Sequence, residues 1–272
     1  MDERISTNHA LWEGWTDIHV GSAFYDVAGF VADPPARPLD RVVRGVVGDV
    51  AGKRVVHLQC HIGLDTVRFA LMGASRVMGV DFSPKALEAA RALAAAVSAE
   101  VEFVESDVTA LVPAVPESSF DVAFTSYGTI SWLPELTGWA AGIASRLAPG
   151  GVFHIVDMHP ALWVFDDEAA APPLTVRYPY FDTSPLYFVE EGSYADPSAP
   201  FRGESYSWQH TFEEIVTALI GAGLVIESLR EYPVMTWPYA PFMVRDDEGF
   251  WRMPAEAGDV PLMFSISARK PA

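Results

Sequence analysis

Residues 54–60 (RVVHLQC) form a short run of β-branched and apolar residues that ends in a turn around Gly63. Residues 65–72 (DTVRFALM) follow with apolar side chains at helical spacing, and residues 76–81 (RVMGVD) have the composition of a second, buried strand. This order of strand, helix and strand is typical of a βαβ unit, whose two strands lie parallel in one sheet.

The alternation continues on the carboxyl-terminal side of this unit. Ser83 and Pro84 have the residue types of an N-cap and a first-turn proline, and they predict a helix through the alanine-rich residues that follow. Thr211 and Glu214 form the pattern of a capping box at the start of a later helix. The remaining predicted elements are helices at 137–147 and 212–221 and strands at 101–105, 120–125, 152–157, 224–229 and 261–268. Together the strands predict one seven-stranded sheet.

Two segments lie outside the alternation: residues 1–45 and residues 161–207. The second segment holds 10 of the 33 aromatic residues of the chain. A connection of this length without a helical pattern is typically functional or disordered, and its aromatic content argues against disorder. We predict that it adds antiparallel strands as a substrate cap or a subunit contact, and that the first segment is a helical lid. Residues 46–160 and 208–272 would together form one domain.

The composition limits the classes of partner. The chain has 18 basic and 36 acidic side chains, a net charge of −18, and half of its residues are hydrophobic. A chain this acidic lacks the basic surface that a nucleic acid or an anionic membrane requires. The single cysteine, Cys60, excludes an internal disulfide and any multi-cysteine metal site, so we expect no metal. No apolar stretch has the length of a membrane span or of a signal-peptide core, which predicts a soluble, cytoplasmic protein.

Polar residues follow the predicted strands at their carboxyl ends, where an open α/β sheet binds its ligands. Asp81 ends the second strand and lies 18 positions after Gly63, close to the spacing at which an acidic residue binds a ribose. A carboxylate accepts hydrogen bonds from two adjacent hydroxyls at once. Asp107, after the third strand, has the acceptor that an adenine amino group needs, and the backbone amide after it suits a ring nitrogen.

The sequence of the loop after the first strand indicates which kind of nucleotide the site binds. A pyrophosphate requires glycines, because the backbone must come close to it. Gln59 and His61 occupy the first two glycine positions of a G-x-G-x-G loop, and only Gly63 remains. Their side chains crowd a pyrophosphate and suit a nucleotide that has none, such as S-adenosylmethionine (SAM), whose sulfonium is positively charged.

The chain resembles class I SAM-dependent methyltransferases in five motifs that occur in the family's order: VVHLQCHIGLDT, VMGVDFS, VEFVESDV, FDVAFTSYGTISWLPEL and LAPGGVFHIVD. The resemblance is strong over residues 50–158 and is one of topology over residues 210–270. The chain departs from the family at Gln59 and His61, where the family usually has glycine. The variant HLQCHIGLDT is similar to a subgroup of bacterial small-molecule methyltransferases, which implies a role in secondary metabolism.

The resemblance implies a Rossmann-like α/β fold with a seven-stranded, mostly parallel sheet and an antiparallel last strand. It also implies that the loop after the first strand cradles the methionine end of SAM, that Asp81 binds the ribose, and that residues after the third strand read the adenine. Carried over by position, the cofactor-binding residues are Gln59, Cys60, His61, Gly63, Asp81, Phe82, Ser83, Asp107, Val108 and Ser126.

Candidates for the chemistry lie in the same region. His159 follows the fifth strand by two residues, Tyr127 follows the fourth strand, and Tyr25 lies in the N-terminal segment. We expect one of these three to accept a proton from the substrate. A substrate pocket also requires apolar walls. Its predicted residues are Trp132, Trp163, His210 and Trp237.

These observations predict an enzyme that transfers the methyl group of SAM to an O, N or ring C atom of a small metabolite, with an aromatic one favoured, and produces S-adenosylhomocysteine (SAH). Two alternatives stay open: an NAD(P)-dependent oxidoreductase on a related sheet, and a SAM-fold subunit that binds without catalysis. The acidic charge predicts a small-molecule partner rather than nucleic acid or a membrane, and the aromatic insertion is compatible with a homodimer.

Overall fold

The computed structural model describes residues 2–272. The helices are α1 (Glu3–Gly21), α2 (Val27–Ala32), α3 (Arg41–Val47), α4 (Leu64–Leu71), α5 (Pro84–Ala96), α6 (Thr137–Arg146) and α7 (Phe212–Gly221). The strands are β1 (Arg54–Leu58), β2 (Arg76–Asp81), β3 (Glu102–Glu105), β4 (Phe120–Ser126), β5 (Leu147–Met158), β6 (Leu186–Glu191), β7 (Arg202–Ser207), β8 (Val225–Tyr232), β9 (Val244–Arg245), β10 (Trp251–Arg252) and β11 (Met263–Arg269). Among the described residues, no helix combines the length and the apolar character that a membrane span requires.

Seven of the strands form one sheet in the order β3-β2-β1-β4-β5-β11-β8. β1 pairs in parallel with β2 and β4, whereas β11 pairs antiparallel with both β5 and β8. The predicted seven-stranded, mostly parallel sheet with an antiparallel last strand is therefore confirmed. The order of the strands reverses between β1 and β4, and an open sheet binds its ligands at the carboxyl ends of the strands beside such a reversal.

Both faces of the sheet are buried. Successive residues of a strand point to opposite faces, so one strand contributes side chains to two core clusters. In β1, Val55 belongs to the same core cluster as Phe69 of α4, whereas Val56 belongs to a second cluster with Trp139 of α6 and Phe153. All five side chains are fully buried. The apolar runs of the parallel strands are continuous rather than alternating for this reason.

Some predicted boundaries differ from those of the structure. β1 ends at Leu58, two residues early, because Gln59 has a φ of +55° and leaves the extended conformation. β5 begins at Leu147, since that residue already pairs with Phe120 of β4. The Ala-Pro-Gly-Gly sequence after α6 therefore lies within a strand. β8 continues to Tyr232 because it pairs with β11 along its length.

The aromatic insertion, residues 161–207, contains a short 3-10 helix (Leu162–Val164) and one β-hairpin, and is otherwise composed of turns and loops. β6 and β7 pair antiparallel, with Leu186 opposite Ser207. The sequence does not predict a second excursion, residues 233–262, which holds the small β9–β10 hairpin. This excursion buries Met235 and Phe250 in the core cluster that contains Phe69.

Within the N-terminal segment, α1 lies against the β6–β7 hairpin. Asn8 forms two hydrogen bonds with the backbone of Tyr206: its Nδ2 donates to the carbonyl at 2.7 Å, and its Oδ1 accepts from the amide at 2.8 Å. Trp15 Nε1 donates to the carbonyl of Gly192 at 2.8 Å. The two segments that lie outside the strand–helix alternation therefore pack on each other.

Candidate functional site

The loop after β1 has the backbone of a glycine-rich loop although it carries two large side chains. Gln59, His61 and Gly63 have φ angles of +55°, +51° and +78°. Residues other than glycine adopt this left-handed region rarely, at a cost of about 1–2 kcal/mol. The chain therefore keeps the loop shape with which a glycine-rich sequence approaches a ligand, and adds an amide and an imidazole to it.

Gly63 is required for packing as well as for its φ. A β-carbon added to it would lie 2.8 Å from Cβ of Ala90 in α5 and 3.2 Å from the ring of Phe103.

Gly63→Ala should lower the free energy of unfolding by about 2–4 kcal/mol, measured by urea denaturation. Gly150→Ala is the matched control, because Gly150 has the same φ of +78° but no atom within 4 Å of its added β-carbon. We expect a loss of about 1 kcal/mol there; equal losses in the two variants would contradict the role of the α5 contact.

Asp81 ends β2 and is buried. Its Oδ2 accepts the amide of His61 at 2.7 Å, and its Oδ1 accepts the amide of Ser83 at 3.0 Å. Burial, with a smaller contribution from the Glu13 carboxylate, raises the pKa of Asp81 to about 6. Each carboxylate oxygen keeps a further lone pair, so Asp81 can accept hydrogen bonds from a pair of adjacent hydroxyls.

Helix α1 is fastened to the start of α5 beside the end of β2. Glu13 Oε1 accepts hydrogen bonds from the hydroxyl of Ser83 and, at 3.1 Å, from the amide of Lys85. The Lys85 ammonium lies 2.8 Å from Oδ2 of Asp17. Ser83 Oγ accepts the amide of Ala86 at 2.9 Å, which confirms that Ser83 is the N-cap of α5. Helix α1 thus lies over the side of the sheet that carries the loop after β1.

Asp107 and Val108 follow β3, next to the end of β2. The amide of Ser106 donates to the carbonyl of Asp81 at 2.9 Å, so the two strand ends are adjacent. Asp107 is exposed, and its Oδ1 accepts from the amide and the hydroxyl of Thr109 at 2.8 and 2.7 Å. Val108 is buried. The local hydrogen bonds of Asp107 thus use Oδ1, in a side chain that is exposed to solvent.

The predicted cofactor-binding residues Phe82, Ser126 and Cys60 differ from one another in their burial. Phe82 is half-buried, and its ring lies edge-on to His9 of α1 with the centroids 5.2 Å apart. Ser126 ends β4 and is half-buried. Cys60 is buried, and burial raises the pKa of its thiol well above its usual value. Cys60 therefore stays a neutral thiol and serves as a small apolar side chain.

Asp157, at the end of β5, organises the loop after β4. Its buried carboxylate accepts hydrogen bonds from the amides of Gly128, Thr129 and Ile130, and from the Thr129 hydroxyl at 2.9 Å. Gln59 Nε2 donates to the carbonyl of Thr129 at 2.9 Å. The loops after β1 and β4 are thereby joined at the reversal of the sheet. An aspartate at the end of a predicted strand is a signal from which this role could have been inferred.

Five aromatic rings gather beside the loop after β1, and we call them the aromatic cluster: Trp12, Trp15, Tyr25, Trp132 and Tyr194. Trp12 is central, since its ring centroid lies 5.4 Å from that of Trp15, 5.2 Å from Trp132 and 5.1 Å from His61. The cluster combines α1, the segment after it, the loop after β4 and the insertion. It forms an apolar wall at the ligand-binding edge of the sheet.

Two histidines connect the cluster with the loop after β1. His19 Nδ1 lies 3.0 Å from His61 Nε2, and His19 Nε2 lies 2.6 Å from Ser193 Oγ. Burial lowers the pKa of His19 to about 4 and lowers the pKa of His61 well below its usual value. Both imidazoles are therefore neutral at neutral pH. Sequence reasoning missed Ser193, because it lies 174 residues from its partner.

The predicted proton acceptors Tyr25 and Tyr127 occupy different surroundings. The hydroxyl of Tyr25 is hydrogen-bonded to that of Tyr194 within the aromatic cluster, and burial raises its pKa. Tyr127 donates its hydroxyl proton to Asp40, the N-cap of α3. Burial and the Asp40 carboxylate raise the pKa of Tyr127 well above its usual value. Both hydroxyls are therefore protonated at neutral pH, and the proton-acceptor role of each stays a prediction.

His159 lies on the β8 side of the sheet rather than in the aromatic cluster. Its Nε2 is 2.8 Å from Glu231 Oε1, and its Nδ1 accepts the amide of Ala161 at 3.1 Å. Its ring packs edge-on against Phe212 of α7. Because both ring nitrogens are engaged, the arrangement favours a structural role, and the catalytic role of His159 stays a prediction.

Of the four predicted substrate-binding residues, Trp132 is the one that belongs to the aromatic cluster. Trp163 and Trp237 pack against Tyr239, with centroids 5.8 and 6.2 Å from it. These three rings lie against the core cluster that contains Phe69. His210 Nε2 donates to the carbonyl of the residue after Trp132 at 2.8 Å. The substrate-binding role of the four residues stays a prediction.

The polar groups at the strand ends suit an organic ligand. Within residues 2–272, no group of three or more histidine, cysteine or carboxylate side chains is placed to hold a metal ion. The edge combines a buried carboxylate for hydroxyls, a left-handed loop for close backbone approach, and an apolar aromatic wall. This combination has the chemistry needed for a nucleoside that is joined to a further organic group.

Comparisons with known proteins find similarity to methyltransferases. Residues 55–151 match a family model described as a methyltransferase domain. The fold is similar to that of a SAM-dependent methyltransferase from Mesorhizobium loti, with 23% identity, a TM-score of 0.61 and coverage of 90% of this chain and 100% of that one. It is also similar to a SAM-dependent methyltransferase from Methanosarcina mazei, with 16% identity, a TM-score of 0.57 and coverage of 86% and 99%. A third similar structure is the glycopeptide N-methyltransferase MtfA, with 17% identity, a TM-score of 0.53 and coverage of 90% and 91%. Comparison with curated proteins gives no match.

The matched segment runs from β1 into the start of β5. It includes the loop after β1, Asp81 at the end of β2 and Asp107 after β3. At these identities the similar structures establish the fold alone. Residues 55–151 therefore resemble a methyltransferase domain in sequence, and the chain has the fold of the SAM-dependent methyltransferases to which it is similar.

Proposed function

We propose that the protein transfers the methyl group of SAM to a small, flat aromatic metabolite. The observation that carries this proposal is the aromatic cluster, which lies beside the loop after β1 of a methyltransferase domain. SAM, when bound, supplies an electrophilic methyl group on a positively charged sulfonium.

The residues of this edge fit SAM. Asp81 has the buried carboxylate and the free lone pairs for the ribose hydroxyls. Asp107 offers an oxygen to the adenine amino group, and the half-buried ring of Phe82 suits the adenine face. Oε1 of Gln59 is a buried polar atom without a hydrogen-bond partner among residues 2–272, as a ligand-binding atom would be in the ligand-free protein.

In this proposal the aromatic cluster forms the wall of the substrate pocket. The faces of Trp12 and Trp132 attract a cation and stack on a flat ring. The same rings keep water away from the methyl group, so the nucleophile and the methyl carbon can be aligned without competing hydrolysis. The net charge of −18 supports a small-molecule acceptor over a nucleic acid.

The protonation of the cluster favours an N or O acceptor over a ring carbon. Burial raises the pKa values of Tyr25 and Tyr194, so these hydroxyls keep their protons at neutral pH. A neutral amine attacks before it loses a proton, and an acidic phenol or carboxylic acid ionises before it binds. Neither acceptor depends on a strong base in the pocket.

Methyl-labelled SAM tests the proposal when it is incubated with the protein and a fractionated extract of small molecules. We expect the label in an aromatic product, and Trp132→Ala should lower the transfer rate by at least about tenfold through lost stacking. Trp251→Ala, which changes a tryptophan of β10 outside the aromatic cluster, is the control and should transfer at close to the wild-type rate. Label in protein or nucleic acid would contradict the small-molecule acceptor, and SAH binding without any transfer would favour the non-catalytic alternative.

A further inference from the structure

We propose that Gln209 recognises the methyl acceptor, because its Oε1 accepts a hydrogen bond from an uncharged hydroxyl or N–H group of that molecule. This group is a second polar substituent, distinct from the atom that receives the methyl group. The inference rests on the proposed function and adds to it a chemical feature of the acceptor and the residue that binds it.

Gln209 lies in the half of the ligand edge that the groups proposed for SAM leave free. Those groups lie after β1, β2 and β3, whereas the loops after β4 and β5 lie across the reversal of the sheet. Gln209 belongs to the short segment between β7 and α7. Its Nε2 donates at 3.0 Å to the carbonyl of Trp163, which follows β5. The side chain is therefore held on the β5 side of the edge.

Two hydrogen bonds place Gln209 beside the aromatic cluster. The tryptophan before it donates its amide to the carbonyl of Ser131 at 2.8 Å. The histidine after it donates Nε2 to the carbonyl of Leu133 at 2.8 Å. These two carbonyls flank Trp132, a member of the cluster, so the backbones of Gln209 and Trp132 are neighbours. An acceptor that stacks on Trp132 is thus close to the amide of Gln209.

The side-chain amide of Gln209 has one end paired and one end unpaired. The residue is 7% exposed. A carbonyl is faced by the nitrogen end of an amide, so Oε1 points away from the carbonyl of Trp163. Oε1 is buried and has no hydrogen-bond partner among residues 2–272. A buried carbonyl oxygen without a donor is unfavourable, and a hydroxyl or N–H group of the acceptor supplies the missing donor.

The position of Gln209 separates the group that it binds from the reacting atom. Gln59, in the loop after β1, is bonded to Thr129 near the start of the loop after β4. The partners of the Gln209 segment lie further along, at residues 131, 133 and 163. The reacting atom must meet the methyl group on the side of the loop after β1. A group at Gln209 is held further towards β5, so it is a second substituent.

The chemistry of an amide oxygen excludes two kinds of charged substituent. A carboxylate has no proton to donate, and its charge would face the negative end of the carbonyl dipole. An ammonium would lose its hydration beside the rings of Trp237 and Tyr239, which pack on Trp163. A neutral hydroxyl or N–H group satisfies the oxygen without either cost.

Gln59 and Gln209 are the two glutamines of the chain, so carbon NMR of protein labelled at the glutamine side-chain carbonyl gives two signals. Gln209→Met assigns one signal and Gln59→Met assigns the other. The signal of a carbonyl carbon moves downfield when its oxygen accepts a hydrogen bond. We expect the Gln209 signal to stay in place when SAH binds, and to move downfield when a hydroxylated aromatic probe joins the SAH complex.

Paired probes test the second substituent: dihydroxybenzenes and hydroxyindoles, and counterparts in which fluorine replaces one hydroxyl. In calorimetric titration of the SAH complex, at least one hydroxylated probe should bind about tenfold more tightly than its fluorinated counterpart. Gln209→Met, which keeps the length of the side chain without its amide, should abolish this difference. Tyr239→Phe is the matched control and should keep it, since it removes a buried hydrogen bond to the carbonyl of Phe165, in the segment that also holds Trp163.

Several results would overturn the inference. Equal wild-type affinities for the paired probes would do so, as would a panel in which no hydroxylated probe binds the SAH complex. A Gln209→Met variant that binds both members of a pair more weakly by the same factor would assign Gln209 a structural role. A Gln209 signal that moves with SAH alone would assign the oxygen to the cofactor, and one that no ligand moves would assign it to a fixed water. Label transfer to an aromatic product without any response of Gln209 would refute this inference alone, whereas a protein that binds no SAH would refute the proposed function.

Discussion

Asp81→Asn should lower the affinity for SAH by about a hundredfold in calorimetric titration. The wild-type carboxylate can bind two ribose hydroxyls while it accepts the amides of His61 and Ser83. An asparagine has one acceptor oxygen, and its NH2 group would face one of those two amides. The control is Asp17→Asn, which removes an exposed carboxylate that is paired with Lys85 on the same side of the domain. The control should bind SAH with close to wild-type affinity.

The same carboxylate should make binding depend on pH. The pKa of Asp81 is raised to about 6 from an ordinary 3.8, chiefly by burial. Below about pH 6 the protonated group no longer accepts from two hydroxyls, so SAH affinity should fall by up to about tenfold per pH unit. Above that pH it should be constant. A wild-type affinity that does not change between pH 5 and pH 7, or an Asp81→Asn variant that keeps the wild-type pH profile, would contradict this role.

The ionisation of Asp81 should change the free energy of unfolding with pH in the opposite direction to the SAH affinity. Because the pKa of Asp81 is higher in the folded state, the ligand-free folded protein holds more protons than the unfolded chain between about pH 4 and pH 6. The contribution of Asp81 to stability is therefore lost as the pH rises through this window. Asp81→Asn should lack this loss, which urea denaturation at several pH values can measure.

Asp157→Ala should lower the free energy of unfolding by about 3–5 kcal/mol. The buried carboxylate accepts the amides of three successive residues, 128–130, and truncation leaves these donors without an acceptor. The loss should also weaken SAH binding, because Thr129 in that loop holds Gln59. Glu227→Ala is the control, since Glu227 forms an exposed ion pair with Arg269 and should cost at most about 1 kcal/mol. A loss below about 1 kcal/mol in Asp157→Ala would show that the loop does not depend on this carboxylate.

The features that could be predicted from the sequence are those with local causes. Ser83 and Pro84 predict the start of α5 because an N-cap and a first-turn proline act within one helical turn. Thr211 and Glu214 predict α7 in the same way, and both halves of the capping box are present. The location of Asp81 follows from the end of a strand, which the apolar run of β2 already marks.

The features that could not be predicted depend on contacts between distant segments. Tyr127 directly follows β4, but its φ of +60° and its bond to Asp40 orient it towards α3. Glu231, the partner of His159, lies 72 residues further along the chain. The excursion at residues 233–262 has neither helical nor alternating periodicity, so its burial against the sheet has no signal in the sequence pattern.

The position of α1 has a consequence for the order in which the protein assembles. This helix is made before the other described elements, yet the backbone groups that its Asn8 binds belong to Tyr206, 198 residues later. Closing a loop of that length costs entropy that only later contacts offset. On the ribosome, α1 can contact the start of α5 early, but its contact with the β6–β7 hairpin must wait for β7. The chain completes the walls around the ends of β1 and β2 only after most of its length has been synthesised, so a nascent chain that ends before β7 has β1 to β5 but an unfinished ligand edge.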